Sequence, residues 1–259
     1  MMALNRIWVV ASNTYREAVR DKLLYNLLLF AVLMIASSIL LAKIHHGYDE
    51  RIYYDVGLGA IALFGVLIAI FVGVNLVYRE ISQKTIYTML SKPVRRWEFL
   101  TGKYLGLVSL LALEIALMST FFLGVVWYKG TLLFPAQLLY AISLIFVELV
   151  LITAVAIFFS SFTTPYLAAM FTVGIWLIGH LLADLREFGN LPDSEHIRPI
   201  TEALYWGLPN LDRLDIKGPA AAGDPIDRIQ VAWRAGYGLI YSTALVMGGV
   251  LLFRRRDFR

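Results

Sequence analysis

The sequence predicts an all-α membrane protein: six transmembrane helices, an amphipathic N-terminal helix on the membrane surface, and a polar cytoplasmic loop between the second and third spans. Three observations carry this. Of 259 residues, 59% are hydrophobic and 16% charged, where a soluble domain has about a quarter of its residues charged. Six stretches reach the roughly 20 mostly apolar residues needed to cross a hydrocarbon core. The apolar runs are continuous and lack the alternation of a membrane β-barrel strand. With a mean hydropathy of +0.69, residues 1–259 read as a single transmembrane domain.

The elements follow in order. Residues 1–22 form the surface helix: Leu4, Ile7, Trp8, Ala11, Tyr15, Ala18 and Val19 recur at helical spacing against Arg6, Asn13, Arg16, Glu17 and Arg20, the pattern of a helix lying in the membrane interface. The spans are expected at 23–42, 56–78, 104–128, 135–159, 166–185 and 233–253. Residues 79–103 form a polar loop with Arg79, Lys84, Lys92, Arg95, Arg96 and Lys103. It has to leave the hydrocarbon, where each central Lys or Arg costs about 2.5–3.5 kcal/mol. Arg6, Arg16, Arg20 and Lys22 precede the first span, and Arg254, Arg255, Arg256 and Arg259 follow the last, whereas the opposite short loops hold Lys43, Arg51 and Lys129. This bias puts both termini and the 79–103 loop in the cytoplasm; the expected location is a bacterial inner membrane. The first twenty residues have scattered charges and no isolated apolar core, so no cleavable signal peptide is expected. Residues 187–232 form an external segment broken by Pro192, Pro199, Pro209, Pro219 and Pro225. It reads as a packed external loop, with an outer gate or partner platform as the alternative.

Several functions are set aside by composition and motif. The absence of cysteine excludes disulfides, thiol catalysis and cysteine-ligated metals. A pI near 9.2 would suit nucleic acid, but the basic residues cluster beside apolar spans, so membrane lipid is the expected partner and nucleic acid is not. A phosphate-binding loop needs Gly-x-x-x-x-Gly-Lys-Ser/Thr. Here Trp97 stands at the first glycine position and Tyr104 follows Gly102-Lys103. No ATP cofactor is therefore expected in this chain, and no catalytic residue is assigned.

Polar groups inside spans mark positions of interest. Glu114 and Glu148 each lie about eleven residues, roughly 16 Å, from the inner end of their spans. They read equally as structural groups or as part of a polar pathway. Asn75 reads as a helix-packing hydrogen-bonder. His180, Asp184 and Glu187 share one helix face and suit either a metal or an ion-pair network that includes Arg186, although no second His completes a ligand set. His45-His46 read as interfacial. Gly102 and Gly106 suit close helix contact.

The run Arg79-Glu80, Lys84-Thr85 and Leu90-Ser91-Lys92-Pro93-Val94-Arg95-Arg96-Trp97-Glu98-Phe99-Leu100-Thr101-Gly102-Lys103 resembles the signature of ABC exporter permeases of the second type, six-span subunits such as the permease of nitrous-oxide-reductase maturation. The span number, the N-terminal helix and the outer Leu208-Pro209-Asn210-Leu211 extend the resemblance over the whole chain. Many relatives have a Gly near position 84 where this chain has Gln83-Lys84, which weakens assignment to a subgroup. The resemblance implies a permease paired with a second copy or a similar paralogue, two ABC ATPase subunits that bring ATP and magnesium, and room for an external accessory protein as an optional partner. It implies that residues 79–103 seat a coupling helix on the ATPase, with Glu80, Lys84, Pro93, Arg95, Arg96, Trp97, Glu98 and Phe99 as docking residues; Arg and Trp are frequent interface anchors. Export is the expected direction. The rival readings are an ion-coupled carrier using Glu114 and Glu148, a subunit that transmits force to an external partner without passing a solute, an intramembrane enzyme, and a scaffold.

Overall fold

The computed structural model describes residues 2–44, 49–82, 95–191 and 196–255. Within them the chain forms nine α-helices: α1 (Met2–Val19), α2 (Lys22–Ile44), α3 (Asp49–Ser82), α4 (Arg96–Tyr128), α5 (Pro135–Ser160), α6 (Pro165–Gly189), α7 (Arg198–Gly207), α8 (Lys217–Ala222) and α9 (Arg228–Arg255). A single 3₁₀ turn, Asp212–Leu214, lies between α7 and α8. No strand occurs among the described residues. Five helices contain stretches long and apolar enough to cross a membrane: Arg51–Val74, Arg96–Tyr128, Pro135–Ser160, Pro165–Gly189 and Arg228–Leu252. The α1–α2 pair, bent by 64°, brings the number to as many as six when the pair is counted as one broken span.

The helix starts follow local chemistry. Pro135 and Pro165 open α5 and α6 at a position where a missing N–H costs nothing and the fixed φ suits a helix. Gly223, at φ 77°, closes α8 in the left-handed conformation. A side chain begun there would also meet the Phe134 ring at 2.4 Å.

α5 is the centre of the bundle. In its most apolar window 78% of residues are buried, against 22% in α6 and in α9. Helices α3, α4, α6, α8 and α9 surround it, and α2 packs outside them on α3 and α4. Tyr54 on α3 ties one end together: its hydroxyl donates to the Thr131 carbonyl oxygen and accepts from the Leu133 N–H at 3.2 Å, holding α3 to the α4–α5 turn.

α1 lies against the first turns of α4, at the opposite end from Tyr54. Ile7, Ala11, Thr14 and Ala18 form its buried stripe. At about 100° per residue, Leu4, Trp8, Tyr15 and Val19 fall on the neighbouring stripe, where Leu4 and Trp8 are more than 70% exposed. The expected amphipathic helix is therefore present, but with three faces: one on α4, one apolar and outward, one polar. Gly102 and Gly106 make the α4 contact possible. A Cβ at Gly106 would stand 2.6 Å from the Ala11 carbonyl oxygen and 2.7 Å from the Thr14 Cβ. Gly106→Leu is thus expected to push α1 off α4 and to cost about 1–3 kcal/mol by overpacking, measured as a lower unfolding temperature of the detergent-solubilised protein, with Gly124→Leu, where a side chain meets open space, as the neutral control.

Candidate functional site

The first site forms where α4 begins. Arg95 is extended (φ −77°, ψ 149°) and caps the helix. Glu98, in the first turn, accepts the Arg95 N–H at Oε2 (2.8 Å), and its Oε1 lies 3.3 Å from Arg6 Nη2 on α1. An acid here answers both the unpaired N–H groups and the positive end of the helix dipole. One turn further, Lys103 Nζ lies 3.7 Å from Glu17 Oε2 on α1 and 5.9 Å above the Phe99 ring. Glu98 and Lys103 are each only 1% exposed. α1 supplies a cation and then an acid, α4 an acid and then a cation. Sliding α1 by a turn would separate both pairs.

This geometry divides the docking residues expected from the sequence. Arg95 and Trp97 are exposed and Arg96 is half-buried. Glu98 and Phe99, read as docking contacts, are instead buried, with Glu98 paired to α1. The loop assigned to 79–103 is also shorter than expected. α3 extends to Ser82, so Glu80 sits on its last turn, and α4 has begun by Arg96. Lys84 and Pro93 lie outside the described residues.

The second site lies deep in the bundle. Glu148 on α5 is 1% exposed. Its Oε1 accepts the Trp176 indole N–H at 3.1 Å and lies 3.4 Å from His180 Nε2, both on α6. His180 Nδ1 lies 2.9 Å from the Trp176 carbonyl oxygen. A carbonyl only accepts, so Nδ1 is the donor in that contact and Nε2 is the ring nitrogen turned to the carboxyl. His180 therefore turns to Glu148 rather than gathering Asp184 and Glu187. No group of three His, Asp or Glu side chains able to hold a metal occurs among the described residues. Arg186 reaches away, to Glu202 on α7 at 3.7 Å and over the Tyr205 ring at 4.3 Å. Glu114 on α4 is equally buried, and neither of its carboxyl oxygens has a hydrogen-bond partner among the described residues.

The external segment folds down onto this region. The Leu211 N–H donates to the Gly179 carbonyl oxygen at 3.0 Å, and the Asn210 N–H donates to Tyr237 Oη at 2.8 Å. Leu211 and Leu214 are fully buried. Leu208-Pro209-Asn210-Leu211 is thus the pin that holds the segment between α6 and α9, and the packed-loop reading describes this stretch. Asp215 and Lys217 follow, paired at 2.8 Å, with the Lys217 N–H donating to Asp215 Oδ1 at 2.9 Å. Burial works to raise the Asp215 pKa. The charge and hydrogen bonds of Lys217 outweigh it and hold the carboxyl below its ordinary value.

Sequence reasoning missed Arg6 and Glu17 as partners of α4, and Trp176, Asp215 and Lys217 as neighbours of Glu148. The first pair had a signal, since both sit on the polar side of an amphipathic helix that must rest on something. The second group had none, because residues 28 to 69 positions apart meet there only through the fold.

A bundle of apolar spans with a braced surface helix at one end defines a polytopic integral membrane protein. The chain belongs to the ABC-2 family of transporters: the family described as ABC-2 family transporter protein matches residues 2–202. That stretch runs from α1 into α7 and includes both ion pairs of the α1–α4 brace. The protein is accordingly a membrane permease subunit of the kind that associates with an ABC ATPase. No curated protein matches the chain.

Two outcomes are expected. Arg6→Met strips buried Glu98 of its cation and costs about 3–5 kcal/mol, whereas Arg6→Met with Glu98→Gln recovers much of this. A double-mutant cycle on thermal unfolding gives the coupling. The Asp215–Lys217 pair, with the folded pKa depressed, contributes stability that is fully present above about pH 4 and is lost as pH falls through the lower folded value. Protection of residues 208–222 against hydrogen exchange, taken relative to the intrinsic rate at each pH, should therefore fall in acid, and Asp215→Asn should remove that acid dependence.

Proposed function

We propose that this chain is the permease of an ABC exporter, working as a homodimer or beside a similar paralogue, with two copies of a separate ATPase docked at the α1 end. On this reading that end faces the cytoplasm, both termini lie there, and ATP and magnesium belong to the ATPase. The observation that carries the reading is the α1–α4 brace. Arg95 and Trp97 stand exposed at the tip of a helix whose first turns are locked to α1 by two ion pairs and a glycine contact. A push on that tip is not absorbed by local bending. It passes into α4, whose 33 residues span about 50 Å, and from there into α3 and α5. The described residues assigned to docking are then Arg95, Arg96 and Trp97. Glu98 and Phe99 stiffen the lever from inside.

The Glu148–His180 pair favours a second reading, an ion-coupled carrier that works without an ATPase. Charge reversal separates the two. The tagged permease, purified from its native membrane in mild detergent, is expected to bring down an ABC ATPase in equal amount, and Arg95→Glu with Arg96→Glu is expected to lose it while retaining helical content. A wild-type chain that purifies alone, and a variant that still transports down a pH gradient, would overturn the exporter reading.

A further inference from the structure

At the bend between α1 and α2 lies an open cavity of about 780 Å³, lined by Asn13, Arg16, Glu17, Arg20, Asp21 and Lys22. Glu17 is already answered by buried Lys103. That leaves three cations, Arg16, Arg20 and Lys22, against one acid, Asp21. No ion pair is formed by any of the three cations among the described residues. α1 turns Leu4 and Trp8 outward as an interfacial helix does, and α2 leaves it at 64°; with α1 lying in the membrane interface, this bend falls at the level of lipid headgroups.

The continuation of the cavity along α2 decides what fits it. Lys22, Tyr25, Leu29 and Leu33 stand at i, i+3, i+7 and i+11, on one face of the helix. Tyr25, Leu29 and Leu33 are each more than half exposed. From Lys22 to Leu33 is about 16 Å, close to half of a ~30 Å hydrocarbon core. Lys22, at the edge of the basic cavity, thus begins an exposed apolar face of α2 about one leaflet long.

We propose that this elbow binds an anionic glycerophospholipid, with its phosphate held by Arg16, Arg20 and Lys22 and an acyl chain laid along Tyr25, Leu29 and Leu33. Basic pockets beside transmembrane helices recognise headgroups in this way. The apolar face excludes a soluble phosphate as the main occupant, since a headgroup alone would leave it uncovered. Glu17 belongs both to this cavity and to the α1–α4 brace, so the site borders the end assigned to ATPase docking, but the lipid proposal does not rest on the exporter reading.

The test is native mass spectrometry of the purified protein, with any bound partner retained, titrated with phosphatidylglycerol, phosphatidylcholine or glycerol 3-phosphate. One phosphatidylglycerol per chain is expected, bound at least tenfold more tightly than phosphatidylcholine and weakened by salt. Arg16→Gln/Arg20→Gln/Lys22→Gln should lose that preference, while Arg51→Gln at the opposite end should keep it. Leu29→Ser/Leu33→Ser, which leaves the cations intact, should weaken phosphatidylglycerol and leave glycerol 3-phosphate unchanged. If the triple variant fails to fold, Lys22→Gln alone should show a several-fold loss. Equal retention by wild type and charge variants, equal binding of phosphatidylcholine, or equal binding of glycerol 3-phosphate would overturn the proposal. Loss of an ATPase from the triple variant with lipid binding unchanged would overturn it too, and would make the cavity a protein contact.

Discussion

Glu98 is a carboxylate with almost no access to solvent, and the organisation of one whole end of the protein answers that fact. Its charge has to be met, and three things meet it: the Arg95 N–H, the dipole of the helix it opens, and Arg6 from α1. For Arg6 to arrive, α1 has to lie within contact distance of α4, which requires glycine at 102 and 106. Once α1 is that close, Lys103 is buried as well and needs Glu17. Each step makes the next necessary. Breaking a buried pair is far costlier than never forming one, so α1 behaves as part of the α4 body.

The opposite end is held by neutral hydrogen bonds and apolar packing. Tyr54 closes the α3 to α4–α5 corner, and Leu211 and Asn210 fasten the external segment to α6 and α9. The Asp215–Lys217 pair, at 2.8 Å, adds an ion pair local to the external segment. The two ends thus differ in the kind of contact: ion pairs between α1 and α4 at one, hydrogen bonds, apolar packing and a local ion pair at the other.

The spans were legible because twenty apolar residues have few uses other than crossing a bilayer, and all six predicted stretches fall within observed helices. The ends were less legible. α4 begins eight residues before the predicted span because Arg96, Trp97, Glu98 and Lys103 are polar or amphipathic yet helical, and hydropathy does not separate a helix that leaves the membrane from one that stops. Phe99 and Glu98 were read as outward for the same reason: a charged, aromatic run looks like a surface until something covers it. The amphipathic pattern of α1 was read as a helix lying on the membrane surface, because its apolar residues fall on one stripe of ordinary width; that part of this stripe covers Glu98 and Phe99 was not legible in it. The partners of Glu148 were beyond reach, since nothing in the sequence says that Lys217 returns to the depth of α5.

The enclosure of α5 has a consequence for how the protein is made. With a mean hydropathy of 2.7, α5 has the most apolar stretch of the five spans, and it is also the most completely shielded from lipid by its neighbours. Its greasiness is therefore not an adaptation to lipid contact in the finished bundle. It serves the moment of biogenesis when the segment enters the bilayer before α6 and α9 have been synthesised, carrying Glu148 with it. Nearly every residue of this helix is thus selected twice, once by the insertion machinery and once by the assembled core, and a substitution tolerated by one is still exposed to the judgement of the other.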